Sequence, residues 1–199
     1  MTIVQRIKGI CLKPKEEWQI IAAETTSTAD LLKKYVAPLA AIGAAAGFIG
    51  MSFIGVSAFG VSVRVPLVTG LVGAVIGIVA ALVEVYVLGL IIDALAPKFG
   101  GEKNSSQALK IAAYSFTPAL VAGVLRIIPT LGILAGLASL YGVYLLYLGL
   151  PLMKSPPEKT VSYTLVVVAC AIGVFLVLGL VTGAIIGAGT VATVGLPPH

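Results

Sequence analysis

Several runs of 18 or more apolar residues, broken by few charges, constrain this 199-residue chain more than any other feature. A helix of about 20 such residues matches the hydrocarbon thickness of a bilayer. Soluble domains carry about 25% charged residues. This chain carries 11%, beside 59% hydrophobic residues, which is too little charge to cover a globular surface. Its mean hydropathy of +1.10 agrees. The fold class that follows is all-α: a polytopic bundle of five transmembrane helices after a short amphipathic segment.

The runs divide the chain. Residues 1–34 are expected to form a cytoplasmic, interfacial segment. Spans are expected at about 35–55, 67–96, 108–128, 131–153 and 161–187, with 188–199 as an extracytoplasmic tail. No 7–15-residue apolar core lies among the early basic residues, so a cleavable signal is not expected and the first span should act as the targeting signal. Ile3, Ile7 and Ile10 recur at helical spacing opposite Arg6 and Lys8, which predicts a helix on the membrane surface. Pro14 ends it and suits the first position of a second helix. In that helix Trp18 either anchors at headgroup level or packs on the bundle. Ser27 and Asp30 have the spacing of a helix-capping pair.

Charge sets the expected orientation. With the N-terminus inside, the inner segments hold Arg6, Lys8, Lys13, Lys15, Lys33, Lys34, Lys98, Lys103, Lys110, Lys154 and Lys159. Only Arg64 and Arg126 fall outside, as the positive-inside bias requires. The expected location is the inner membrane of a prokaryote, multi-pass, with the C-terminus outside. The net charge of +5 is spread over short loops, so nucleic acid is not an expected partner.

Small residues four apart allow close helix packing. Gly43 and Gly47, Gly73 and Gly77, Gly132 and Gly136, and Gly179, Gly183 and Gly187 have this spacing. Contacts within the chain are favoured over contacts between chains.

Ionisable groups inside a bilayer cost about 2.5–3.5 kcal/mol at its centre and mark functional candidates. Glu84 lies near the middle of the second span, either as a proton or cation relay or as a buried carboxyl locking the bundle. Asp93, nine residues on, falls half a turn out of register, so the two form no dyad on one face. Arg126 should snorkel at the outer turn or meet an acidic group or lipid phosphate. In the third span Pro118 frees the carbonyl of Tyr114 and predicts a kink, with Ser115 and Thr117 free to bond across it. Tyr141, Tyr144 and Tyr147 form a slanted stripe, for packing or for a ligand.

Catalytic signatures are lacking: the sequence has no P-loop, HExxH, serine–histidine pair or dinucleotide fingerprint. Cys11 and Cys170 should sit at different depths, and no Cys/His metal spacing occurs. No enzyme, metal or other cofactor is expected.

The order of motifs resembles the Yip-domain family of Ypt-interacting-protein-like membrane proteins, in its prokaryotic form. The resemblance rests on Pro14, Trp18-Gln19-Ile20-Ile21, Tyr35-Val36-Ala37-Pro38-Leu39 and Phe99-Gly100-Gly101. Ala113-Tyr114-Ser115-Phe116-Thr117-Pro118, Ile128-Pro129-Thr130-Leu131-Gly132, Tyr141 to Gly149, and Lys159 with Tyr163 complete it. It implies five membrane helices and a cytoplasmic N-terminus. Eukaryotic relatives are associated with small GTPases and vesicle traffic. The Asp-Leu-Tyr-Gly-Pro motif of those relatives and their long N-terminal region are missing here, so that role does not carry over. The expected function is membrane organisation or partner binding through helix–helix association, with the bilayer and a homo-oligomer or membrane protein as partners. The alternative is a transporter or channel for protons, ions, small solutes or lipids that uses Glu84.

Overall fold

The computed structural model describes residues 2–58 and 61–194. Two short helices, α1 (Ile3–Leu12) and α2 (Pro14–Ala23), precede five helical segments of membrane length. These are α3 (Thr28–Ile54), α4 (Leu67–Phe99), α5 (Ser105–Ile127) and α6 (Pro129–Met153), with α7 as the fifth. The α7 helix runs from Thr160 to Val194, and its apolar span is Pro157–Ile185. Among the described residues the one strand pairing is a short antiparallel hairpin, Val56–Ala58 with Val61–Val63, between α3 and α4.

Local chemistry sets the helix boundaries. Ser27 Oγ accepts from Asp30 N at 3.1 Å, so the first membrane helix begins seven residues before Tyr35, on its capping pair. Within α3 the turn Leu32–Val36 widens to π geometry just ahead of Pro38. A proline ring collides with the carbonyl four residues earlier, and a wider turn makes room for it. Asn104 Oδ1 accepts from Gln107 N at 3.1 Å and starts α5. At Phe99-Gly100-Gly101 the chain reverses, with Gly100 at φ +77°, a left-handed conformation that favours glycine. Phe99 then stacks on Tyr163 with ring centroids 4.8 Å apart, which joins two of the family-like motifs.

Helix α5 is the most enclosed of the five and the least apolar. The two facts have one cause. A bilayer solvates apolar side chains as well as a protein core does, so the helix carrying Gln107, Lys110, Ser115 and Thr117 belongs inside. Helices α3, α4 and α6 surround it, and α7 packs on α4. The kink expected at Pro118 is present: the α-helix stops at Ser115 and restarts at Thr117.

The N-terminal segment departs from its sequence expectation. Its inner face is docked on the bundle: α1 packs against α5 between Thr117 and Ala122, and α2 packs against α6. Arg6 does not oppose the isoleucines, because it shares the buried face with Ile10 four residues on. Trp18 resolves to the packed alternative: it is 3% exposed, over Gly149 and edge-on to Tyr114.

Candidate functional site

The principal site is a polar cluster where α1 and α2 meet α5. Arg6 Nη1 donates to Glu17 Oε1 at 2.5 Å, and Arg6 Nη2 pairs with Glu24. The guanidinium carbon stands 5.4 Å from the Tyr114 ring centroid, a cation–π distance. Arg6 is 5% exposed and Glu17 4%. Desolvation pulls the Arg6 pKa down, but Tyr114, Glu24 and Glu17 outweigh it and hold it above its ordinary value. Lys110 Nζ donates to Ile21 O at 3.0 Å and also to the carbonyl of Glu24. Gln107 Nε2 donates to Ala22 O at 3.0 Å. The central helix therefore caps the end of α2 with side-chain donors, which satisfies carbonyls that a helix C-terminus leaves free. One face of the cluster is charged and the other aromatic.

Beneath it lies a neutral layer. Tyr35 and Thr117 share a hydrogen bond of 2.8 Å, and the Tyr35 and Tyr114 rings meet edge-on at 4.9 Å. Tyr141 Oη donates to Cys11 O at 2.9 Å, so α6 holds the end of α1 from within a span. Ser115 Oγ is buried without a hydrogen-bond partner among the described residues. The kink brings the Ser115 carbonyl against α6: a Cβ on Gly142 would stand 2.6 Å from its oxygen. Gly142→Ala should therefore cost about 1–3 kcal/mol by overpacking. Gly136→Ala, where a Cβ meets nothing within 4 Å, should stay within about 0.5 kcal/mol. SDS unfolding in mixed micelles, followed by circular dichroism, measures both.

Of the sequence candidates, Tyr114, Ser115, Thr117, Pro118 and Tyr141 converge here. Tyr144 and Tyr147 are exposed, and Tyr141, whose ring meets that of Tyr144 at 5.7 Å between centroids, is the member of the stripe that reaches the cluster. Asp93 accepts from Asn104 N at 2.7 Å and ties α4 to the start of α5. Glu84 lies apart from the cluster. It lines a cavity of about 20 Å³ with Leu88, Ile91, Phe116, Ala171, Val174 and Phe175. That volume is the size of one water. Among the described residues Glu84 has no ion-pair partner within 4.0 Å. Arg126 is exposed, with its stem 4.0 Å from the place of a Gly47 Cβ.

The glycine pattern needs correction. A Cβ on Gly43 would stand 3.4 Å from Gly123 Cα, which marks a close approach of α3 to α5. By contrast Gly77, Gly132, Gly136, Gly179 and Gly183 would meet nothing within 4 Å. Among the described residues those five positions therefore have open space where a side chain would stand. Gly73 is half-buried on α4, and Gly187 lies outside the residues whose surroundings are described.

Arg6, Glu17, Glu24 and Lys110 were missed as site residues. Their charges sit in the terminal segment and at a span edge, where a loop charge is the ordinary reading. One signal was available: Glu17 and Glu24 are seven residues apart, which places two carboxylates on one face of a helix beside Trp18 and Ile21.

Five membrane-length helices, one of them polar and central, define a polytopic helical membrane protein. The Yip1 domain model matches residues 8–191, so the chain belongs to the Yip1 domain family. It is 28% identical over 152 residues to "Inner membrane protein YohC" of Escherichia coli strain K12, covering 74% of this chain and 78% of that protein. The YohC protein of E. coli O6:H1 matches with the same identity and coverage. No solved structure matches.

Proposed function

We propose that the protein organises membrane components by helix–helix association, with itself or with a membrane-protein partner, and that catalysis is no part of its role. The observation that carries this reading is the open space at Gly77, Gly132, Gly136, Gly179 and Gly183. Small residues flatten a helix face, and in lipid a flat face gains from a close-fitting neighbour. The proposed location is a prokaryotic inner membrane. The name of the E. coli relatives supports it, and the basic loops support a cytoplasmic N-terminus and an outer C-terminus. Cysteines introduced at Gly136 or Gly183, crosslinked in native membranes, should capture a self-assembly or one defined partner. A clean monomer at both positions, with no captured partner, defeats the reading.

A second reading, transport of protons, ions, small solutes or lipids, is supported by the Glu84 carboxyl in its cavity, which has no ion pair among the described residues. The small volume and apolar lining of that cavity favour a locked carboxyl over a conduit. Liposomes holding the purified protein should show no proton or cation flux above empty ones. Flux abolished by Glu84→Gln would put transport first.

A further inference from the structure

We infer that the basic end of the bundle, with the outer face of the α1–α2 hairpin at its edge, is a binding surface for anionic phospholipid headgroups. Of the eleven basic residues expected on this side, Arg6 and Lys110 are buried and tied to the cluster. Lys13, Lys34 and Lys154 pair with Glu16, Asp30 and Glu102. Lys8, Lys15, Lys33, Lys98, Lys103 and Lys159 remain, all exposed and without an ion pair among the described residues. Against them, among the described residues, Glu158 is the one exposed carboxylate there without an ion pair, since Asp93 is half-buried and accepts from Asn104.

Helix α1 adds an apolar element. Val4, Lys8 and Leu12 follow at four-residue intervals on its outer face, and Val4 and Leu12 are 60% and 77% exposed. Ile20 on α2 is 45% exposed. Valine and leucine that far out of the core, on a helix packed against membrane spans, belong in acyl chains. Lysines beside them reach to the phosphates. Each lysine near an anionic leaflet is worth about 1 kcal/mol, and the sum falls with salt. The two faces of the hairpin thus do different work: Arg6 latches it to α5, and its lysines meet lipid.

The test uses the full chain in phosphatidylcholine vesicles with trace spin-labelled lipid. Spin-labelled phosphatidylglycerol should associate with the protein roughly two- to fivefold more than spin-labelled phosphatidylcholine at low salt. Salt at about 1 M should bring the ratio close to one. The fourfold variant K8Q/K15Q/K98Q/K103Q should do the same at low salt, and these exposed side chains make no ion pair among the described residues, so the fold should survive the change. A ratio of one in the wild type, or a ratio unchanged in the variant, overturns the inference.

Discussion

Arg6→Met should release the N-terminal hairpin from the bundle while the five spans stay folded. The substitution strands Glu17, 4% exposed, and leaves Glu24 half-exposed without its cation. Breaking a buried ion pair from one side costs about 3–5 kcal/mol, because the remaining charge stays desolvated. Here the chain has an escape. The hairpin makes few apolar contacts beyond Ile10, Trp18 and Ile21, and its detachment returns both carboxylates to water. The loss is therefore capped by the hairpin's own docking energy, and the readout is local opening. Cys11 reports it. Burial pushes the Cys11 thiol up from its usual value, so the docked form holds little reactive thiolate near neutral pH. Release should lower that pKa and expose the sulfur. In a Cys170→Ser background, labelling by a water-soluble maleimide should quicken at least about tenfold in Arg6→Met, equivalent to about 1.4 kcal/mol of docking energy. The double change Arg6→Met with Glu17→Leu should recover much of the protection, since removing both charges spares the desolvation cost. Equal labelling rates in wild type and Arg6→Met would show that the ion pairs do not hold the hairpin.

The contrast between helix existence and helix partnership explains what the sequence discloses. Span number follows from the length of apolar runs, a local property, and α3 to α7 stand where those runs stand. The kink at Phe116 was legible because Pro118 removes one donor at a known place. Pairing of charges was not legible. Arg6 is 11 residues from Glu17 and 18 from Glu24, and only the turn at Lys13 and Pro14 folds them together. Lys110 counts as a loop charge by position, yet the depth of α5 in the bundle takes it inside. Periodicity reports a face and not its neighbour. Gly43 and Gly132 look alike in sequence, and only tertiary packing sets one against Gly123 and the other in open space.

Trp18 supplies the second large effect. Its ring packs over Gly149 and meets Tyr114 edge-on at 6.4 Å between centroids, so α2, α5 and α6 share one contact. Lipid does not replace that contact, because the cost of a cavity is lost dispersion on every wall. Trp18→Ala should lower stability against SDS unfolding by about 3–5 kcal/mol, or detach the hairpin if docking is worth less. Trp18→Phe tests a different property. The indole Nε1 is buried with no hydrogen-bond partner among the described residues, and such a donor costs about 1–3 kcal/mol. Phenylalanine removes that penalty while keeping much of the ring. It should thus cost under about 1.5 kcal/mol, the range of near-conserving core changes. A headgroup anchor would behave in the opposite way, since its N–H bonds at the interface and its loss would weaken anchoring. Near-equal losses for alanine and phenylalanine would return Trp18 to the interface. A large gap between them, read by circular dichroism and by Cys11 labelling together, keeps it in the core that latches the hairpin to the central helix.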